Sequence, residues 1–249
     1  MSLRVAIVTG ASGGIGTAIS FLLAQQGYAV AVNFRAREEE AQRICTAIKA
    51  SDGKAIAVRA DIAEESEVIR MFETVSRDLG PITALVNNAG ITGGFYRVDE
   101  VTAKTVEDVL AINVLGTILC SREAIRRMST RHGGTGGAIV NISSIAAKLG
   151  SPGEYVHYAA SKAAVDTFTR GLAKEVAAEG IRVNAVAPGL IQTDIHAAAG
   201  DPGRLDRLAH TVPMQRPGTP HEVAEAVAWL LSDAASYITG TILDVGGGR

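Results

Sequence analysis

The stretch Thr9-Gly-Ala-Ser-Gly-Gly-Ile-Gly16 joins an apolar run to a helical pattern through a turn that is almost free of side chains. Residues 3–9 are typical of a strand buried on both faces, and Ile19, Leu22 and Leu23 fall at helical spacing after the turn. The start of a helix carries unpaired N–H groups and the positive end of the dipole, and glycine lets a phosphate approach the backbone. The stretch therefore predicts a nucleotide-binding turn. No Gly-Lys-Ser or Gly-Lys-Thr follows, which excludes a Walker-type mononucleotide loop.

The composition of the chain suits one domain that spans residues 1–249. With 47% hydrophobic residues the chain can bury a large core, and its net charge of −2 gives no electrostatic case for nucleic acid or an anionic membrane as partner. The N-terminus enters a strand rather than a signal peptide, so we expect a cytoplasmic protein. Cys45 and Cys120 belong to no Cys/His cluster, which predicts buried reduced thiols and no metal site.

Seven apolar, β-rich runs alternate with helical patterns along the chain. They cover residues 3–9, 28–34, 55–59, 82–86, 137–143, 181–187 and 240–245. This alternation predicts an α/β fold with a single doubly wound, parallel, seven-stranded sheet of the Rossmann-like kind and helices on both faces. Ligands of such sheets bind beyond the carboxyl ends of the strands. Function is therefore to be sought in the residues that follow each strand.

Polar residues and glycines follow most of the predicted strands. The glycine turn follows the first strand. The second to sixth strands are followed or ended, in order, by Asn33-Phe34-Arg35, Asp61, Asn87-Asn-Ala-Gly90, Ser143-Ser144 and Pro188-Gly189. Asp61 could simply cap the next helix, and Asn-Ala-Gly alone is typical of a turn. Asn113 lies in the apolar helical pattern 109–115, and a buried side-chain amide there needs a hydrogen-bond partner. Alternatively, Asn113 merely caps or kinks the helix.

Tyr158 and Lys162 lie four residues apart in a helical pattern and therefore share one face. None of the other four tyrosines has Lys at i+4. A neighbouring ammonium lowers the pKa of a phenol from its reference value of about 10, which would make Tyr158 a proton donor. Taken alone, such a pair is more often a solvated surface contact.

The whole chain resembles the short-chain dehydrogenase/reductase family. The resemblance rests on Gly10, Gly14 and Gly16 in the spacing G-x-x-x-G-x-G, together with Asn87–Gly90, Asn113 followed by Gly116, Ser143-Ser144, Tyr158-Ala-Ala-Ser-Lys162 and Pro188-Gly189. It implies that Tyr158 is the general acid/base, that a serine polarises the carbonyl, that Lys162 binds the nicotinamide ribose and lowers the pKa of Tyr158, and that Asn113 holds a proton-relay water. We favour Ser144 over Ser143, because Ser144 lies 14 residues before Tyr158, near the family's usual interval.

The same resemblance implies a set of residues that bind the cofactor. They are Gly10, Ser12, Gly14, Ile15, Gly16, Asn33, Arg35, Asp61, Ile62, Asn88, Ala89, Gly90, Tyr158, Lys162, Pro188, Gly189, Ile191 and Thr193. Within this set Asp61 would lie against the adenine, and Thr193 would hold the nicotinamide carboxamide. His196 follows in the expected substrate loop, and no role is assigned to it.

The end of the second strand predicts NADP(H) rather than NAD(H) as cofactor. Residues 32–37 contain no acid, and Phe34 occupies the position of the family's NAD-selecting Asp. Arg35 follows, and its guanidinium can bind a 2′-phosphate with help from Arg37. Alternatively, both arginines are solvated or pair with the glutamates of residues 38–40.

These patterns predict an NADP(H)-dependent oxidoreductase that interconverts a carbonyl and a secondary alcohol of a small ketone, sugar or alcohol. The main alternative is a 3-oxoacyl thioester reductase of fatty-acid synthesis, which the resemblance also covers. A reductase that acts on a carrier protein is expected to have basic residues near the mouth of its site, but this chain has Glu179 at one such position. Arg126, Arg127 and Arg131 could supply the positive charge instead and keep this alternative open. An epimerase fits less well, because the chain lacks residues for an extra substrate domain. A non-enzymatic dinucleotide sensor would not need Ser144, Tyr158 and Lys162 together.

Residues 91–99 and 190–212 are predicted to form the mouth of the substrate pocket, with 197–203 as a mobile loop. Family resemblance further implies a homotetramer built from helices near 104–131 and 155–178 and from the C-terminal strand. Apolar residues Ile118, Leu119 and Ile125 would supply surface for that contact.

Overall fold

A computed structural model describes residues 4–193 and 200–249 of the chain. Within these ranges seven strands form one parallel sheet, as the sequence predicted, and their order is β3-β2-β1-β4-β5-β6-β7. The strands are β1 (Arg4–Val8), β2 (Tyr28–Phe34), β3 (Lys54–Arg59), β4 (Ile82–Asn87), β5 (Gly137–Ile142), β6 (Ile181–Pro188) and β7 (Ile242–Val245). The first predicted strand ends one residue earlier than expected, and the last begins two residues later.

Helices connect the strands and lie on both sides of the sheet. They are α1 (Gly14–Gln25), α2 (Glu38–Ala50), α3 (Glu65–Asp78), α4 (Ala103–Leu110), α5 (Thr117–Met128), α6 (Ala146–Leu149), α7 (Val156–Val176), α8 (Arg204–Leu208) and α9 (Pro220–Leu231). A π-helical segment, Ala111–Gly116, joins α4 to α5, where the sequence predicted an ordinary helix. Single π-turns of this kind occur often at functional sites.

The core divides into two apolar layers because successive side chains of a strand point to opposite faces. Ala6 and Val8 of β1 pack into the layer that also contains residues of α1, α2 and α9. Val5 and Ile7 pack into the other layer, with residues of α3, α5 and α7. The predicted burial of the sheet on both faces is confirmed.

The strand register brings the carboxyl ends of the central strands to one edge. Val8 of β1 lies opposite Val32 of β2 and Val86 of β4, and Asn87 of β4 lies opposite Asn141 of β5. Between β1 and β4 the chain reverses its direction of travel across the sheet. A crevice opens at such a point, because the connections on its two sides leave toward opposite faces.

Two of the apolar side chains expected to support a tetramer belong to the core instead. Leu119 is buried, and Ile125 packs against the core layer of α3 and α5. The exposed apolar side chains of this helical run are Leu110, Leu115 and Ile118. Periodicity finds an apolar stripe, but only the neighbouring helix determines which part of the stripe is covered.

Other expectations concern thiols, metals, membranes and the substrate loop. Cys45 and Cys120 are buried free thiols, as predicted. Residues 4–193 and 200–249 contain no group of three or more potential metal ligands. No helix in the described part of the chain is long and apolar enough to cross a membrane. His196 and residues 197–199 of the predicted mobile loop lie outside the described residues.

Candidate active site

A cleft of about 850 Å³ lies at the carboxyl edge of the sheet and brings most of the predicted site residues together. Its lining includes, from the predicted set, Gly10, Ser12, Gly14, Ile15, Asn33, Arg35, Asp61, Ile62, Asn88, Ala89, Gly90, Ser144, Tyr158, Lys162, Pro188, Gly189, Ile191 and Thr193. Gly16 and Asn113 do not line the cleft but contact residues that do: Gly16 lies against Asn88, and Asn113 hydrogen-bonds with Ile91. The glycine turn and the Tyr/Lys pair thus open into one space.

The glycine turn has a backbone that side chains would disrupt. Gly10 and Gly14 have φ angles of 59° and 52°, which L-residues rarely adopt. A Cβ at Gly10 would lie 2.7 Å from the Cα of Ala89, so the turn and the end of β4 touch through their backbones. Gly13 precedes α1 and has no side chain to cap the first N–H groups of that helix. These N–H groups and the close backbone approach fit a phosphate of a dinucleotide.

Side-chain amides hold this turn in place. The Asn88 Nδ2 donates to the carbonyl oxygens of Thr9 (2.9 Å) and Gly10 (3.0 Å). Asn33 Oδ1 accepts from the N–H of Gly10 at 3.1 Å, while its Nδ2 donates to carbonyl oxygens beside β3. A Cβ at Gly16 would lie 2.5 Å from Asn88 Nδ2, so Gly16 makes room for that amide. Asn33, Asn88 and Gly16 therefore shape the turn as well as border it.

Two arginines lie beside the turn at the end of β2. The Arg35 Nη1 is 3.5 Å from Asp61 Oδ2, and both side chains retain contact with solvent. A Cβ at Gly13 would lie 3.1 Å from Arg37 Nη1, which places that guanidinium over the start of α1. Phe34 is buried in the core. Arg35 pairs with Asp61, whereas Glu39 and Glu40 pair with Arg43. Asp61 also accepts a hydrogen bond from the N–H of Ala63 in the turn before α3, but the N-cap residue of that helix is Glu64, so Asp61 does not cap it.

Ser143 and Ser144 both line the cleft at the end of β5, but their hydroxyls have different partners. The Ser144 hydroxyl hydrogen-bonds with the Tyr158 hydroxyl. Ser143 is buried, and its hydroxyl donates to the carbonyl oxygen of Lys162 at 3.4 Å. Burial raises the pKa of Tyr158 to about 12, a rise that the hydrogen bond from Ser144 opposes and the neighbouring Tyr155 increases. The phenol therefore stays protonated across the neutral range.

Lys162 lies almost wholly buried on the same helix face. Its Nζ donates to the carbonyl oxygen of Ile142 at 2.8 Å and lies 5.7 Å from the centroid of the Tyr158 ring. Burial lowers the pKa of Lys162 to about 8, although Asp166 one turn further along acts in the opposite direction. The sequence predicted that the ammonium would lower the pKa of Tyr158. In the structure burial raises the pKa of Tyr158 and lowers the pKa of Lys162, because it disfavours the charged form of each group.

Asn113 lies in the π-helical segment and is fully buried. Its Oδ1 accepts from the N–H of Ile91, and its Nδ2 donates to the carbonyl oxygen of Ile91 and to Ser161 Oγ, each at 2.9 Å. A Cβ at Gly90 would lie 3.2 Å from Asn113 Oδ1 and 3.3 Å from Lys162 Nζ. Asn113 therefore anchors the segment that follows β4 and lies close to the ammonium.

The start of α7 also binds this segment, through contacts that sequence reasoning missed. His157 Nε2 lies 3.0 Å from the carbonyl oxygen of Thr92, and the Tyr96 N–H donates to the carbonyl oxygen of Glu154 at 2.7 Å. The rings of Phe95 and Tyr155 lie 5.2 Å apart. Tyr155 could have been found from the sequence, because it precedes Tyr158 by only three residues; it lies just before α7, and its ring centroid is 5.2 Å from that of Tyr158.

The three arginines that could bind a carrier protein, Arg126, Arg127 and Arg131, lie beside acidic side chains. Arg126 and Arg127 donate to the buried carboxylate of Glu123 at 2.8 and 2.7 Å. Arg131 lies 3.9 Å from Glu179. Their charge is therefore partly neutralised within the protein.

Comparison with protein-family models gives a match over residues 10–249 to the family described as Enoyl-(Acyl carrier protein) reductase. Uncharacterized oxidoreductase YgfF of Escherichia coli (strain K12) is 53% identical over 247 residues, which span 99% of this chain and 100% of that protein. The 3-oxoacyl-[acyl-carrier-protein] reductase FabG of Staphylococcus epidermidis is 39% identical, with 98% of each chain covered.

Two solved structures share the fold. A short-chain type dehydrogenase/reductase from Mycobacterium marinum superposes with a TM-score of 0.92 at 32% identity, covering 98% of this chain and 94% of its own. A blue fluorescent protein from a metagenomic library, crystallised in complex with NADPH, has a TM-score of 0.90 at 34% identity, covering 98% and 97%. The predicted Rossmann-like fold is confirmed by both.

Proposed function

The chain belongs to the short-chain dehydrogenase/reductase family of oxidoreductases, and from this premise we propose that residues 1–249 form one NADP(H)-dependent domain that interconverts a carbonyl and a secondary alcohol. The observation that carries the proposal is the convergence of Ser144, Tyr158 and Lys162 on the cleft into which the glycine turn opens. A phosphate-binding turn and a proton donor in one space are the two parts that hydride transfer to a carbonyl requires.

In this proposal the protein's own residues manage the proton and the developing negative charge. The Tyr158 hydroxyl donates its proton to the carbonyl oxygen during reduction, since its raised pKa keeps the phenol protonated at neutral pH. Ser144 donates a second hydrogen bond to the same oxygen, which stabilises alkoxide character in the transition state. The ammonium of Lys162 contributes positive charge close to the phenol. When bound, NADP(H) would supply or accept the hydride.

Asn113 is proposed to support this group of residues by holding Ile91 and Ser161 beside Lys162. The glycine turn, Asn33, Asn88–Gly90 and the segment Pro188–Thr193 would hold the dinucleotide, with Asp61 and Ile62 at its adenine end.

Preference for NADP(H) is proposed from the charges beside the glycine turn. Arg35 and Arg37 border the cleft, while the end of β2 carries no carboxylate that would accept bonds from a ribose 2′-hydroxyl. The ion pair between Arg35 and Asp61 is exposed, and such pairs contribute little, so a phosphate can compete for the guanidinium. The NADPH complex of the blue fluorescent protein is consistent with this preference.

Reduction of a 3-oxoacyl thioester is the second candidate, favoured by the relatives named 3-oxoacyl-[acyl-carrier-protein] reductase. The single carboxylate of Glu123 neutralises only part of the charge of Arg126 and Arg127, so the exposed Arg126 still offers positive charge to an acidic carrier protein. NADPH oxidation with small ketones, sugars and acyl thioesters compares the candidates directly. Tight NADPH binding without turnover of any carbonyl would favour a dinucleotide sensor instead.

We expect Tyr158→Phe to lose at least about 100-fold in kcat with NADPH binding unchanged, because the substitution removes only the proton donor. Tyr237→Phe is the matched control, since Tyr237 is fully exposed and lies outside the cleft. Rates come from NADPH absorbance and binding from NADPH fluorescence. A Tyr158→Phe variant that keeps more than about a tenth of the wild-type rate would refute the mechanism.

A homotetramer is proposed for the assembly. Leu110, Leu115 and Ile118 leave apolar surface exposed along the run from α4 to α5, and a symmetric contact would bury it.

A further inference from the structure

Arg204 of α8 is a buried arginine, with only 3% of the residue exposed, and it packs against two aromatic residues of the cleft lining. Its Nη1 and Nη2 donate to the two carboxylate oxygens of Glu154 at 2.9 and 2.6 Å. The carbonyl oxygen of Glu154 also accepts from the N–H of Tyr96. The bidentate pair therefore joins three separate segments: α8, the residues before α7 and the segment that follows β4.

The guanidinium of Arg204 also contacts two aromatic rings. Its Cζ lies 5.0 Å from the ring centroid of Phe95 and 5.4 Å from that of Tyr155, and Nη2 donates to the Tyr155 hydroxyl at 3.1 Å. The Tyr155 ring lies 5.2 Å from the Tyr158 ring at an interplanar angle of 88°. A continuous series of contacts thus runs from Arg204 through Tyr155 to the proposed proton donor.

An ion pair with a buried arginine seldom contributes much to stability, because the guanidinium must lose its hydration; the Glu154 side chain here remains 36% exposed. Such a pair does fix geometry when one member forms two parallel bonds, as Arg204 does with Glu154. The pair is also a poor receptor for an anionic substrate, since the carboxylate already neutralises the guanidinium. Its position against Phe95 and Tyr155 indicates a role in holding the rings.

We propose that Arg204 is a positioning residue that fixes Phe95 and Tyr155 as an aromatic wall beside Tyr158, and that this wall selects ketones with an aryl substituent on the carbonyl carbon. The inference rests on the proposed function and narrows its substrate class. Both rings of the wall line the cleft that contains Tyr158 and Ser144.

The chemistry of the wall favours an aryl ketone over a polyhydroxylated one. An aryl group can pack edge-to-face or offset against Phe95 and Tyr155, as aromatic rings prefer. Most polar groups of the wall bond within the protein: the Glu154 carboxylate and the Tyr155 hydroxyl bind Arg204, and His157 Nε2 lies against the Thr92 carbonyl. Two buried nitrogens, Arg204 Nε and His157 Nδ1, have no hydrogen-bond partner. Hydroxyl groups placed against these rings would lose water without gaining partners, which opposes binding.

The test compares acetophenone with dihydroxyacetone as substrates for NADPH-dependent reduction. We expect the wild type to prefer acetophenone in kcat/KM by about tenfold or more. Arg204→Lys keeps the charge but loses the planar, bidentate contact, so it should reduce that preference about tenfold, mainly through a higher KM for acetophenone. The KM for dihydroxyacetone and the binding of NADPH should not change.

Phe95→Leu is the second variant, since Phe95 is only half-buried and its replacement keeps an apolar side chain. It should reduce the preference in the same direction while leaving both hydrogen bonds between Arg204 and Glu154 in place. Arg216→Lys is the matched control, because Arg216 forms a bidentate pair with Glu222 at the surface and lies outside the cleft, whereas Arg207 shares its partner Asp201 with Arg204. Melting temperatures distinguish a displaced wall from general loss of the fold.

The outcomes separate this inference from the proposed function on which it rests. Equal losses for both ketones in Arg204→Lys and Phe95→Leu would overturn the aromatic wall and leave the oxidoreductase proposal intact. A wild type that prefers dihydroxyacetone would overturn the aryl selectivity. A wild type that binds NADPH but reduces no carbonyl would reject the proposed function, and the wall with it.

Discussion

Arg35→Ala examines the proposed cofactor preference most directly. The side chain of Arg35 is 62% exposed, and its 3.5 Å contact with Asp61 is a surface ion pair, a kind that typically contributes well under 1 kcal/mol. Losing that pair should therefore leave the fold intact. The contact at stake is the one with a 2′-phosphate, and a hydrogen bond to a charged group is worth about 1.5–3 kcal/mol.

The lower end of that range applies to Arg35, because water screens an exposed guanidinium. About 1.5 kcal/mol corresponds to roughly a tenfold change in binding or in kcat/KM. We therefore expect Arg35→Ala to lower kcat/KM for NADPH about tenfold while leaving kcat/KM for NADH within about twofold. Arg37→Ala should have a similar effect. The loss of kcat/KM for NADPH in the double variant should be smaller than the product of the two single losses, since both arginines would bind one phosphate.

The assay measures kcat/KM for NADPH and NADH with one working carbonyl substrate, at low and at high salt. The advantage of NADPH should shrink as salt increases. Arg43→Ala is the matched control, because Arg43 is an exposed arginine on α2 that pairs with Glu40 and lies outside the cleft. Equal efficiencies of the two cofactors in the wild type, or a preference for NADPH that Arg35→Ala leaves unchanged, would refute the assignment.

Three further predictions follow from the site and the surface. The kcat/KM for carbonyl reduction should decline as pH rises through about 8, because the buried Lys162 loses its proton there. Asp166→Asn should move this decline to lower pH, because the Asp166 carboxylate raises the pKa of Lys162. A flat pH profile of kcat/KM between about 7 and 9 would contradict this prediction. Gly10→Ala should weaken NADPH binding at least about tenfold in a fluorescence titration, because the new Cβ would overlap Ala89, whereas Gly27→Ala, also at positive φ but in open space, should leave the binding unchanged. Light scattering should give about four times the chain mass of 25.9 kDa at micromolar concentration, and a particle of 25.9 kDa would reject the tetramer.

The contacts made within one element were predictable from the sequence. Alternating apolar runs locate all seven strands to within about two residues at their described ends, because the burial of a strand or a helix face leaves a local period in the sequence. The glycine turn and the Tyr158/Lys162 pair were found for the same reason, since their spacing along the chain sets their geometry. The role of Ser144 stays a prediction, although its place beside Tyr158 is the one that the spacing favoured.

Properties that depend on burial or on distant segments emerged only from the tertiary structure. The sequence places Lys162 near Tyr158, but the pKa values of both follow from the loss of water around them, which residues throughout the fold produce. Arg204 meets Glu154 across 50 residues of chain, and Arg35 meets Asp61 across 26, at distances where no local period exists. Leu119 is buried because another helix covers that side, while the nearby Ile118 stays exposed. Local spacing thus determines which side chains share a face, and the packing of the folded chain determines what that face meets.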